Sequence, residues 1–227
     1  PRASAIQAVS DESELQRVFL SLARIASLVV APIAITFVIR GATFIGIWMG
    51  PEYAAPSGSI LVVLALALVF MAPGQVMMSA LIGMKAHMLL VPFQIAEAVL
   101  NVGLGIWWIQ LWGLAGLAWA NTLPTVAVGL VSIPWILKRA LNLGAGRLAL
   151  QVFIRPWMAM IPFAVGSWYV ETMWQTSNLA IYFIQVALTL PLAGLGAWAL
   201  ALSPSEREAA LRRARALTSS ISLTGSR

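Results

Sequence analysis

An acidic residue lies near the middle of an apolar stretch that is long enough to cross a bilayer. The stretch covers residues 88–108, and the acid is Glu97. Gln94, Glu97 and Asn101 are spaced three and four residues apart, so on an α-helix they form one polar stripe about 10 Å long. A charged residue at the centre of a lipid-facing helix costs about 2.5–3.5 kcal/mol, so such residues normally face protein or a water-filled cavity. The rest of the chain is therefore expected to enclose a cavity.

The composition predicts an all-α integral membrane protein. Of 227 residues, 60% are hydrophobic and 10% are charged, whereas about a quarter of the residues are charged in a soluble domain. The chain has no cysteine, and His87 is its single histidine, so neither a cysteine metal site nor a histidine cluster is expected. We expect no metal and no cofactor.

Six apolar stretches predict a bundle of six transmembrane helices. The expected spans are residues 18–48, 60–82, 88–108, 113–137, 149–170 and 178–202. The third and fourth spans are separated by a short turn at residues 110–112, which predicts an antiparallel hairpin. The spans form one domain, residues 1–202, and a basic cytoplasmic tail of residues 203–227 follows it. The tail arginines are expected to lie against anionic membrane lipids.

The distribution of basic residues predicts the orientation of the bundle. Cytoplasmic connections hold an excess of Lys and Arg, and alternate connections of this chain hold nearly all of them. The basic residues of these cytoplasmic segments are Arg2, Arg17, Lys85, Lys138, Arg139, Arg147 and the arginines of the tail, and the expected outer connections hold only Arg40, at their margin. Both ends of the chain are therefore expected in the cytoplasm. The same topology explains the net charge of +6, so nucleic-acid binding is not expected.

Several motifs together resemble a known family of transporters. They are Pro1-x-x-Ser4 with Asp11, Gly50-Pro51-Glu52-Tyr53, Glu97-x-x-x-Asn101, and Gly113-x-x-Gly116-x-Ala118-x-Ala120-Asn121. In this order and spacing, they resemble the carboxy-terminal half of bacterial polysaccharide-biosynthesis flippases of the O-antigen type. These flippases belong to the multidrug/oligosaccharidyl-lipid/polysaccharide exporter superfamily. The resemblance covers about residues 1–202.

The resemblance implies one half of a pseudo-symmetric transporter that works by alternating access in the bacterial inner membrane. The implied cargo is a polyprenyl-pyrophosphate-linked oligosaccharide. The implied partners are this lipid-linked cargo and an amino-terminal half-bundle that the chain lacks. Two related activities stay open, namely multidrug export and export of lipid-linked cell-wall precursors.

Two arginines in the first span are candidate ligands for the pyrophosphate. Arg24 lies seven residues after Arg17, on the same helical face, and the fixed donor fork of a guanidinium suits phosphate oxygens. The alternative is that Arg24 extends its guanidinium to the headgroups. Arg40 is the second candidate, although its position near the outer end of the span favours this headgroup interpretation.

The remaining candidates are polar residues inside apolar stretches. Glu97 is expected either to serve the cavity, as a partner of an arginine or a proton carrier, or to act as a structural brace that forms hydrogen bonds with Asn101 and a neighbouring helix. Gln75 follows Pro73, where it is expected to satisfy backbone carbonyls freed by a kink or to contact the ligand. Asn121 is expected to form a hydrogen bond between helices.

An enzymatic alternative is a membrane-embedded glycosyltransferase or acyltransferase. Such an enzyme needs a pair of carboxylates for metal or acid–base chemistry. Asp11, Glu12 and Glu14 lie together in a polar segment, and Glu97 has no acidic neighbour in the sequence. The sequence therefore favours a transporter over an enzyme.

Overall fold

The computed structural model describes residues 2–84, 87–202 and 206–207. All regular structure in these ranges is helical, and they contain no strand. Five helical segments of the described chain are long and apolar enough to cross a membrane. They are Ser13–Trp48, Pro51–Gly83, His87–Leu141, Ala145–Met173 and Leu179–Ala201. The all-α prediction is thus confirmed for the described residues.

The first two helices are longer than the predicted spans. Helix α1 runs over Arg2–Trp48 and helix α2 over Pro51–Gly83. Gly50 separates them with φ 124°, a conformation that glycine adopts more readily than other residues. The two helices cross closely at Gly58, where a Cβ atom would lie 2.8 Å from the Cα atom of Ala42. α2 thus begins nine residues before the predicted second span.

The third helix reverses direction at one glycine. Helix α3 covers Val91–Leu141, and Gly113 within it has φ 58° and ψ −138°. Thr125 Oγ1 nevertheless donates a hydrogen bond of 2.7 Å to Glu97 Oε1, although a straight helix would place these residues about 42 Å apart. The two arms of α3, residues 91–112 and 114–141, therefore lie antiparallel. This agrees with the predicted hairpin, except that the reversal follows the predicted turn.

Small residues allow the two arms to meet near the reversal. A Cβ atom at Gly116 would collide with the carbonyl oxygen of Trp108, so only glycine fits at this contact. Ala120 is fully buried one turn later. Within the predicted small-residue face, Gly113 thus forms the turn, and Gly116 and Ala120 allow close packing.

The last part of the bundle is divided into short helical pieces. Between residues 145 and 173 there are helix α4 (Ala145–Leu148), a π-helix (Ala149–Ile154), helix α5 (Arg155–Ala159) and helix α6 (Ile161–Met173). Helix α7 covers Leu179–Gly196, and a second π-helix covers Ala197–Ala201. Asn178 caps α7 by accepting a hydrogen bond of 2.9 Å from the backbone of Ile181. Of the predicted basic tail, only Glu206 and Arg207 lie within the described residues.

Helix α1 is the central element of the bundle, because it contacts α2, α3, α5, α6, α7 and the first π-helix. One apolar cluster joins its early part to the ends of α2 and α3, through Phe19, Leu81 and Leu137. A second cluster joins its middle to the last helices, through Ala31 and Phe163. The buried polar residues of α1, which include Arg24 and Arg40, therefore face other helices.

Candidate functional site

Three of the predicted residues meet at one cavity between α2 and the two arms of α3. Gln75, Gln94 and Glu97 line this cavity, which has a volume of about 270 Å³. Thr125 and Ser132 from the second arm of α3 also line it. We call it the Glu97 cavity. Its wall offers amide, carboxylate and hydroxyl groups, which can donate and accept hydrogen bonds.

Glu97 is half-buried at this cavity. One of its oxygens accepts the hydrogen bond from Thr125, and within the described part of the chain it forms no ion pair with an arginine. The sequence had suggested a hydrogen bond between Glu97 and Asn101, but Asn101 Nδ2 instead donates to Asn121 Oδ1 at 2.9 Å. The expected role of Asn121 between helices is confirmed by this bond.

Arg24 lies in a different place, where α1 meets the first π-helix and the end of α7. Its guanidinium donates to Gln151 Oε1 at 2.8 Å, to the carbonyl oxygen of Ala201 at 3.3 Å and to Glu206 Oε2 at 2.9 Å. Ser21 Oγ donates to the other oxygen of Glu206. Arg24 is 7% exposed, so it is held inside the protein and does not extend to the headgroups.

A second cavity of about 730 Å³ opens beside Arg24. Arg17, Arg24, Arg147 and Arg155 line it, together with Glu206; we call it the arginine cavity. The shared face of Arg17 and Arg24 was expected from their spacing. Arg147 and Arg155 were not proposed as site residues, yet they are eight residues apart, about two helical turns, and this spacing already places them near one face.

Arg40 is fully buried near the carboxyl end of α1. Its Nε donates to Glu171 Oε2 at 2.8 Å, and its Nη2 donates to Thr176 Oγ1 at 3.3 Å and to Gln185 Oε1. The guanidinium also lies over the ring of Tyr182, 4.8 Å from its centroid. The headgroup interpretation of Arg40 is therefore wrong, because packing against α6 and α7 encloses the side chain.

The sequence contained a signal for this second cluster. Gln185 places an amide in the middle of an apolar stretch, just as Glu97 places an acid in one. Its side chain is fully buried. The predicted fifth span ended at residue 170, which left Glu171 in the connection between two spans. Glu171 instead lies within α6 and accepts hydrogen bonds from Arg40 and Thr43. Both residues could have been proposed as partners for a charge inside the bundle.

Apart from Asn101, the predicted candidates therefore occupy three places. Gln75, Gln94 and Glu97 share a cavity, whereas Arg24 and Arg40 lie 16 residues apart on α1, or about 24 Å along its axis. Asn101 lies one helical turn beyond Glu97. No group of three or more His, Cys, Asp or Glu residues that could hold a metal ion occurs in the ranges that the structure describes.

Comparisons with protein-family models, with curated proteins and with solved structures find no match for this chain. The resemblance to polysaccharide flippases therefore stays a prediction from the sequence. The geometry of the three polar clusters is the basis for any functional proposal.

Proposed function

We propose that the chain is a membrane-embedded half of a transporter that moves a polyprenyl-pyrophosphate-linked oligosaccharide across the bacterial inner membrane. The observation that carries the proposal is the Glu97 cavity, a polar space within a largely apolar helical bundle. Gln75, Gln94 and Glu97 come from two helices and line one space. Amide, carboxylate and hydroxyl groups are suited to the many hydroxyl groups of a sugar chain.

The proposed topology has six membrane spans. The reversal of α3 at Gly113 supports counting its two arms as separate spans, which adds one to the five apolar segments. An even number of spans puts both ends of the chain on the same side, and the distribution of basic residues supports the cytoplasmic side. The arginine cavity then lies at the cytoplasmic end of the bundle.

The arginines support an anionic cargo over a cationic one. Four arginines, including Arg24, line the arginine cavity against one glutamate, so this end of the bundle would repel a cationic drug. A pyrophosphate-linked lipid has the opposite charge. The charge of this cavity therefore favours export of a pyrophosphate-linked lipid over multidrug export.

The test is the substitution Glu97→Gln in the gene that encodes this chain, in the bacterium that carries it. The amide of glutamine has the same shape as the carboxylate and can still accept the hydrogen bond from Thr125, but it carries no charge. We expect normal protein level in the membrane and loss of most flipping, seen as lipid-linked oligosaccharide that accumulates in the cytoplasmic leaflet.

The matched substitution is Asn101→Ala on the same face of the helix. It removes the hydrogen bond to Asn121 between the arms of α3, so we expect a lower protein level with flipping per molecule retained. Wild-type flipping by Glu97→Gln at equal protein level would refute the functional role of Glu97. Increased drug sensitivity without accumulated oligosaccharide would favour multidrug export instead.

A further inference from the structure

The arginine cavity carries more positive charge than its own acid neutralises. Among the described residues along its wall, Glu206 is the only acid beside four arginines. Arg17 and Arg155 are exposed and have no hydrogen-bond or ion-pair partner within the described residues. Arg147 donates one long hydrogen bond of 3.4 Å. Three guanidinium groups are therefore positioned to bind an added anion.

Arg24 supplies a fixed donor at this cavity. Gln151 and the carbonyl oxygen of Ala201 hold its two terminal nitrogens, so the side chain loses little freedom when it binds a ligand. Its Nε atom is buried and has no hydrogen-bond partner in the described part of the chain. A guanidinium held in this way is well suited to phosphate oxygens, which it binds with two parallel hydrogen bonds.

Glu206 occupies the position that an anionic ligand would take. One carboxylate oxygen accepts from Arg24 at 2.9 Å, and the other accepts from Ser21 Oγ. Arginine and hydroxyl donors also bind phosphate oxygens. The carboxylate of Glu206 therefore satisfies, from within the chain, the donors that would bind a phosphate group.

The wall of the cavity is partly apolar. Val18, Leu22 and Leu200 line it beside the arginines, and their side chains are 49%, 52% and 56% exposed. A free phosphate ion gains nothing from such a wall, whereas the hydrocarbon part of a lipid would cover it. Charge and apolar surface together indicate a ligand with an anionic head and a hydrocarbon body.

From these contacts we propose that the arginine cavity binds the phosphate group of a membrane lipid, and that this phosphate displaces the carboxylate of Glu206. This proposal rests on the proposed function only in assuming that the chain is embedded in a membrane. The phosphate can belong to a bilayer phospholipid or to the polyprenyl pyrophosphate of the cargo, because both present the same oxygens to the arginines.

The test measures lipid binding to the purified chain in detergent by native mass spectrometry. The probes are phosphatidylglycerol, polyprenyl pyrophosphate, diacylglycerol, which has hydrocarbon chains but no phosphate, and inorganic pyrophosphate. Arg155→Gln should weaken phosphatidylglycerol binding about tenfold, the effect of one charge-assisted hydrogen bond. Glu206→Gln should strengthen it severalfold, because the competing carboxylate is gone.

The matched control is Arg139→Gln. Arg139 is also exposed, but its guanidinium lies over the ring of Trp135, 5.5 Å from the centroid, and it does not line the arginine cavity. We expect its lipid binding to equal that of the wild type. Arg155 is preferred to Arg24 as the test position, because an exposed residue without a described partner can be replaced without disturbing the fold.

The outcomes separate the sources of the phosphate. Tighter binding of polyprenyl pyrophosphate assigns the site to the cargo lipid, and tighter binding of phosphatidylglycerol assigns it to the bilayer. Equal binding of phosphatidylglycerol and diacylglycerol, or unchanged affinities in both Arg155→Gln and Glu206→Gln, would overturn the proposal. This experiment measures lipid binding and not flipping, so its result tests the lipid site independently of the proposed role of Glu97.

Discussion

Helix α1 carries two buried arginines, one at its middle and one near its carboxyl end, and their charges are balanced in different ways. Arg24 pairs with Glu206 beside a cavity of about 730 Å³ that three further arginines line. Arg40 pairs with Glu171 and is fully enclosed by α6, α7 and the ring of Tyr182. Positive charge exceeds negative charge around Arg24, whereas the charge of Arg40 is balanced by one acid, Glu171.

The difference shows that a buried arginine in an apolar helix can have either a structural or a ligand-binding role. A guanidinium that is enclosed with its carboxylate contributes mainly to holding helices together, since breaking such a pair leaves a buried charge. A guanidinium at the edge of an open basic cavity keeps its ability to bind another anion. The surroundings therefore decide whether the residue braces the fold or binds a ligand.

The Arg24 and Arg40 clusters should lie towards opposite sides of the membrane. A cysteine at Ser177, close to the Arg40 cluster, should react with an impermeant thiol reagent in intact cells, whereas a cysteine at Ala145, close to the arginine cavity, should not. Both residues are exposed, and the chain has no other cysteine, so each signal comes from one position. Labelling of Ala145→Cys from outside would place the arginine cavity at the outer face.

The largest loss of stability is expected at Arg40. Arg40→Met leaves the carboxylate of Glu171 partly buried without its positive partner, which should lower the free energy of unfolding by about 3–5 kcal/mol. Denaturant unfolding in detergent measures this change. The double variant Arg40→Met with Glu171→Met removes both charges and should recover much of the loss, which a purely steric effect of Arg40→Met would not predict.

A smaller loss is expected at Glu206. Glu206→Gln keeps an oxygen that can accept from Ser21 or Arg24, but it loses the charge that strengthens these hydrogen bonds. We expect a decrease of about 1 kcal/mol in the free energy of unfolding, measured in the same denaturant experiment. A decrease as large as that of Arg40→Met would mean that the two arginines are equally structural, and the comparison would fail.

The smallest effect is expected at Arg155. This side chain is exposed, so Arg155→Gln should change the free energy of unfolding by no more than about 0.5 kcal/mol. Removing one of four neighbouring positive charges can even stabilise the protein slightly. A loss of 2 kcal/mol or more would show that Arg155 braces the bundle and is not held ready for a ligand.

The candidate sites could be predicted only in part. The stripe of Gln94 and Glu97 was visible because three- and four-residue spacings place side chains on one helical face, and the structure adds Gln75 to the same cavity. The partners of Arg24 and Arg40 were not visible in this way. Arg24 contacts Gln151, 127 residues away, and Arg40 contacts Gln185, 145 residues away, and no local pattern specifies such pairs.

The sequence by itself determined the helical class, the apolar segments and the reversal within the third of them. Hydropathy and helical periodicity depend on residues that are close together in the sequence. The reversal occurs at Gly113, and glycine is one of the few residue types that readily adopt the positive φ angle of that turn. Only the tertiary structure decided that Arg40 is enclosed while Arg24 faces an open basic cavity, because burial depends on which helices pack around α1, and side-chain contacts between distant segments decide that packing.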